Sequence, residues 1–147
     1  QEKSGLNLFN GKGNCASCHP SSGSNARFST YVYENLGLPP NPRIAELLGG
    51  TPAPDLGLGA VVKDSAHNGK FRLPSLRNVA RTAPYGHNGY FTTLKQTVQF
   101  MNTAGVPRAW PTPEVNEKLE RTEVGDLGLT NKEMDAIVAF LGTLTDG

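Results

Sequence analysis

The sequence predicts a mainly α fold of few short helices joined by long loops. Three observations predict it. Glycine and proline supply 17 and 11 of the 147 residues, nearly a fifth of the chain against roughly 12% in average usage, so long regular elements are few. A short apolar-sided segment opens the chain and a strongly amphipathic one closes it. Between them, Cys15-Ala16-Ser17-Cys18-His19 is the attachment signature of a c-type haem. The helices are therefore expected to gather around one covalent haem c within a single domain, residues 1–147.

The elements follow in order. Gly5 to Gly13 reads as a first helix with Leu6, Phe9 and Leu8 on its apolar side, ended by Gly11 and Gly13. Residues 20–70 read mostly as loop. Ser21-Ser22-Gly23-Ser24-Asn25 is a polar turn, and Pro39-Pro40-Asn41-Pro42 forces extended chain, because each proline biases its predecessor away from helix. A short helix fits Arg43 to Leu48, stopped by Gly49-Gly50. Thr93 to Asn102 reads as a helix: Thr93 and Gln96 make a capping box, and Leu94, Val98 and Met101 share one face. Gly105 and Pro107 stop it, and 106–114 is a proline loop carrying Trp110. In the last helix Thr130 and Glu133 form a second capping box, and Met134, Ile137, Val138, Leu141 and Leu144 make one stripe. Helices at the two ends resemble the class I cytochrome c arrangement, in which they cross beside the haem; the likeness is one of fold.

The motif's spacing has a chemical reason. Two thiols add to the two vinyl groups on one porphyrin edge, and His19 then falls beneath the iron as its proximal ligand. A thioredoxin-like disulfide would want a βαβ pattern around the motif, and none is visible. A zinc site would want two more ligands at short spacing, but His67 and His87 lie 20 residues apart. The apolar share, 37%, is modest for a core, so the porphyrin is expected to complete it, and the apoprotein to fold poorly.

The net charge of +1 suggests neither nucleic acid nor a membrane surface as partner. No stretch is apolar enough to span a bilayer. Lys63, Lys70, Arg72, Arg77 and Arg81 form a basic group, from which Arg72 and Arg77 are candidates to pair with the haem propionates. Glu114, Glu117, Glu120, Glu123 and Asp126 read as a solvated acidic face. Covalent haem is attached after export, which implies a periplasmic protein. The start Gln1-Glu2-Lys3 carries no signal peptide and reads as a mature or trimmed form.

His19 leaves one axial position on the iron. The candidates are Met101, Met134, His67 and His87. Met134 lies on the last helix's stripe and reads as packing. Met101 also lies on an apolar face, but at a helix end, where a thioether can turn into a pocket. His87 and His67 sit in turns. Spacing alone leaves the choice open.

The run Gly69-Lys70-Phe71-Arg72-Leu73-Pro74-Ser75-Leu76-Arg77-Asn78-Val79-Ala80-Arg81-Thr82-Ala83-Pro84-Tyr85-Gly86-His87-Asn88-Gly89, with Glu34-Asn35-Leu36-Gly37-Leu38-Pro39 and Asp55-Leu56-Gly57-Leu58-Gly59, resembles the bacterial dihaem cytochrome c peroxidase family. The resemblance covers most of residues 9–145 and is to the C-terminal, electron-transferring haem domain. It implies Met101 as the distal ligand. It also implies a calcium site through the carbonyls of Thr82 and Pro84, with a further ligand from the family's other domain. This chain has one Cys-x-x-Cys-His, so the peroxidatic haem domain is not in it.

Two functions of different class follow. The first is a monohaem c-type cytochrome carrying single electrons between redox protein partners through a His19/Met101-ligated haem. The alternative is the electron-transfer haem domain or subunit of a dihaem or multihaem peroxidase-type oxidoreductase. An enzyme with an openable sixth site would use Tyr85, His87 and Arg72 as distal groups. A gas-binding haem sensor is a third reading. Open, reactive iron separates the last two from the first.

Overall fold

The computed structural model of the chain describes residues 1–23 and 26–146. Ser24 and Asn25, part of the expected polar turn, lie outside the described residues. Among the described residues, the regular structure is five short α-helices, three 3-10 turns and one two-stranded ribbon, in keeping with the glycine and proline content.

Helix α1 spans Glu2–Asn10 and ends at Gly11. It begins earlier than expected, and Gly5 lies inside it rather than at its start. The reason is tertiary. α1 crosses α5, Asn131–Gly142, so closely that a Cβ on Gly5 would sit 1.9 Å from the carbonyl oxygen of Ala136. Glycine is required by that approach and not by the helix. Phe9 fills the crossing beside Phe140, with ring centroids 5.2 Å apart and edge to face, and Phe28 closes the group.

Helix α2 spans Pro42–Leu48. Asn41 caps it by accepting from Arg43 N–H, and Gly49 ends it at φ 68°. Helix α3, Leu58–Val62, and strand β1, Tyr33–Glu34, fall in the stretch expected to be loop, and β1 pairs with β2, Phe71–Arg72, just beyond it. α3 carries no apolar stripe to reveal it: Val61 and Val62 face solvent. Helix α4 spans Leu94–Thr103 and has the expected Thr93/Gln96 capping box. α5 has the Thr130/Glu133 box. Its stripe is wider than expected. Phe140 and Ala136 are buried along with Met134, Ile137 and Leu141, while Val138 is half-buried, because α5 packs on both α1 and α4; Leu144, expected on the stripe, is buried just past the helix end.

Buried apolar side chains form two groups. One joins Phe9, Phe28, Val98, Ile137, Phe140 and Leu141 at the helix crossing. The other joins Leu38, Phe91 and Phe100, with Met101 and Trp110 packed on them. A cavity of about 430 Å³ lies between and takes wall residues from both. No helix among the described residues is long and apolar enough to cross a membrane.

Candidate haem site

The cysteine motif begins just beyond α1. Asn14 turns the chain at φ 49°, and Cys15–Ser17 form one 3-10 turn. His19 N–H bonds back to the Cys15 carbonyl at 2.9 Å. Both cysteines are free thiols. Burial pushes the Cys15 thiol up to about 12. Burial and a hydrogen bond to the Glu123 carboxylate, 3.0 Å away, push Cys18 up to about 11. Both shifts disfavour the thiolate.

His19 lines the cavity. Its Nδ1 lies 2.7 Å from the carbonyl oxygen of Phe28. A carbonyl only accepts, so Nδ1 carries the proton and Nε2 keeps its lone pair. Burial holds the imidazole's pKa below the ordinary value, which keeps the ring neutral. A neutral histidine with one nitrogen fixed on a carbonyl is the arrangement of an oriented metal ligand. Phe28 stands at φ 53° with its ring in the core. Arg77 reinforces it, donating from Nη2 and Nε to the Ala26 carbonyl at 3.0 and 3.3 Å and lying over the Phe28 ring.

Helix α4 also contributes to the cavity wall. Leu94, Val98 and Met101, the face read from the sequence, all line the cavity with Thr97. Leu76, Val79 and Leu141 add apolar surface. Of the four candidates for the sixth position, Met101 and His87 line the cavity, and Met134 and His67 do not. Met134 is 5% exposed in the core. His87 is already engaged: its Nε2 lies 3.3 Å from Glu114 and its ring stacks on Phe71 at 3.6 Å. His67 sits in a 3-10 turn after α3.

Arg72 reaches the cavity and stacks over Tyr31. Arg77 is not among the lining residues, and its guanidinium serves Ala26 as described. Thr82 and Pro84 lie at the exposed edge of the cavity. Among the described residues, no group of three or more His, Cys, Asp or Glu side chains could hold a metal ion. The acidic run is not simply a solvated face. Glu114 is only 13% exposed and joins His87 to the backbone of Asp55, and Glu123 touches Cys18. These two, and the Phe28 carbonyl, are the parts of the site that sequence reasoning missed. A backbone carbonyl carries no residue signature, and a glutamate in a charged run looks like its neighbours.

Two thiols at the attachment spacing, a neutral histidine with a free nitrogen, and an apolar cavity of small-molecule size fit a covalent haem. The cytochrome c family profile matches residues 3–145. The chain belongs to the cytochrome c family. That membership indicates covalent haem c as the cofactor. Among relatives, this cytochrome c chain is 40% identical over 152 residues to the methylamine utilization protein MauG of Paracoccus denitrificans, covering 90% of this chain and 39% of that protein. It is 39% identical over 158 residues to cytochrome-c peroxidase IdrP2 of Denitromonas iodatirespirans, covering 99% and 40%. The dihaem peroxidase BthA of Burkholderia thailandensis superposes with a TM-score of 0.78 at 28% identity, covering 99% and 42%. A MauG-like protein associated with microbial copper homeostasis gives 0.75 at 32%, covering 99% and 47%. The relatives are thus MauG and dihaem peroxidases, as the motif resemblance implied. The chain spans about 40% of the length of the curated relatives it matches. It is a cytochrome c domain similar to part of these dihaem proteins.

Proposed function

We propose that this cytochrome c chain is the electron-transfer haem domain of a dihaem peroxidase-type oxidoreductase, with His19 and Met101 as the axial ligands. Of the two readings drawn from the sequence, the relatives favour this one over an independent carrier, because each matched protein is more than twice this chain's length. When bound, the haem supplies a one-electron couple. The residues do the rest. Cys15 and Cys18 anchor it covalently, His19 is held as a neutral ligand by Phe28, and the apolar wall of Leu94, Val98 and Leu141 excludes water. A thioether ligand favours the ferrous state and raises the potential. Were His19 and Met101 both to hold the iron, no side chain here would need to act as acid or base. Arg72 is the cavity-lining cation available to a propionate. Calcium at the Thr82 and Pro84 carbonyls, completed by a second domain, belongs to the same proposal. So do a redox protein partner and a periplasmic location, the latter because covalent haem attachment follows export.

One observation carries the ligand assignment. Met101 lies on the cavity wall with His19, whereas Met134 lies in the core. The test is the weak red charge-transfer band of iron–thioether bonding in the ferric holoprotein. Met101→Ala is expected to abolish it and lower the potential, and Met134→Ala to leave both nearly unchanged. Loss of the band in Met134→Ala alone would mean that the wrong sulfur has been assigned.

A further inference from the structure

The chain's two methionines sit on either side of one buried amide. Asn102 follows Met101 in sequence and meets Met134 in space. It is 6% exposed, and both polar atoms of its side chain are engaged. Oδ1 accepts from Leu129 N–H at 2.9 Å, and Nδ2 donates to the Leu129 carbonyl at 3.0 Å. Nδ2 also meets Sδ of Met134 at 3.8 Å. The carboxamide pairs with one residue's backbone much as a neighbouring strand would.

Main-chain bonds extend this grip. Gly125 N–H donates to the Met101 carbonyl at 2.7 Å, and Leu127 N–H to the Asn102 carbonyl at 3.1 Å. The last carbonyls of a helix have no partner within it. Here the segment before α5 supplies partners at the turn that carries Met101. The same segment reaches the cysteine motif at its other end, where the Glu123 carbonyl accepts from Asn14 and its carboxylate from Cys18. An apolar side chain in place of Asn102 would strand the Leu129 N–H and C=O in the core, which is costly.

We propose that Asn102 is the positioning residue for the sixth ligand. Its clamp on Leu129 fixes the last turn of α4 so that Met101 stays on the cavity wall, while the same amide keeps Met134 in the core. The proposal rests on the reading of Met101 as ligand.

The test compares Asn102→Ala with Leu144→Ala, a core truncation outside the cavity lining, in the holoprotein. Each is followed by thermal melting, by the iron–thioether band, and by the rate of carbon monoxide binding to the ferrous form. Asn102→Ala is expected to weaken the band and to speed carbon monoxide binding about tenfold, as the loss of one or two net hydrogen bonds implies. Leu144→Ala is expected to melt lower yet keep both signals. A folded Asn102→Ala with an unchanged band, or equal spectral effects in the two variants, overturns the proposal. Met101→Ala separates the two levels. A band that survives Met101→Ala defeats the ligand reading; a band lost there but intact in Asn102→Ala defeats only the role of Asn102. Should Asn102→Ala not fold, native protein decides. Amide exchange at Leu129 reports clamp opening, which should match the limiting rate of carbon monoxide binding. Carbon monoxide binding that outruns that opening would show that Met101 leaves without the clamp.

Discussion

Gly5→Ala should destabilise the holoprotein, although alanine is the better helix former. Inside a helix, glycine costs about 1 kcal/mol relative to alanine, so local reasoning predicts a gain. The crossing with α5 opposes it. The added Cβ would lie 1.9 Å from the Ala136 oxygen and 2.8 Å from the Phe140 Cβ. Ordinary contact begins at 3.4 Å, so the helices must part by about 1.5 Å (3.4 minus 1.9). The obstacle is α5 backbone, which cannot rotate away as a side-chain tip would. Overpacking costs about 1–3 kcal/mol. Gaps of even ~0.5–1 Å forfeit a quarter to a half of the dispersion at each contact they open, here among Phe9, Ile137 and Phe140. Strain near the top of its range, added lost packing of similar order to the propensity gain, leaves a net loss of about 3 kcal/mol. In a chain of this length that lowers Tm by roughly 6–12 °C. Far-UV circular dichroism melting of the holoprotein measures it. An unchanged or higher Tm would refute the close crossing.

The remaining predictions concern acid stability and activity. A hydrogen bond from Lys12 at 2.7 Å, followed by one from Thr130 N–H, holds the Glu133 carboxyl at about 2. Its folded value lies below its unfolded value, so its contribution is full above about pH 4.5 and is lost as pH falls toward 2. Glu133→Gln should therefore melt lower at pH 7 and show a shallower decline between pH 5 and 2; parallel melting profiles would contradict this. Assayed alone with a reduced donor, the chain should turn over little hydrogen peroxide while exchanging electrons quickly with small redox reagents. Met101→Ala should gain some turnover by opening the iron, but only a little, since the cavity-lining His87 is held on Glu114 and Phe71.

What the sequence disclosed was local. Both capping boxes are written in residues three positions apart, and each forms as read; the helix expected over Arg43–Leu48 forms with one residue more, Pro42–Leu48. The cavity face of α4 was legible for the same reason, because Leu94, Val98 and Met101 repeat at helical spacing. What stayed hidden depends on distant partners. Gly5 looks like a helix boundary until α5 is laid across it. β1 and β2 are two residues each and are joined across nearly forty positions, with no alternation to announce them. Arg72 and Arg77 look alike in a basic group, yet one reaches the cavity and the other braces the loop that orients His19. Glu114 and Glu123 look like surface charge, and only the folded loop brings them to His87 and Cys18. Asn102 is the plainest case: it reads only as the last residue of a helix, while its side chain makes a buried backbone pairing 27 residues away.

The central claim is that protein ligands close both faces of the iron, and carbon monoxide tests it most directly. Ferrous native holoprotein, mixed with carbon monoxide at neutral pH, should bind it slowly and incompletely, and Met101→Ala should bind it at once and fully. Rapid, stoichiometric binding by the native protein, equal to that of Met101→Ala, would contradict the account and point to an open sixth site.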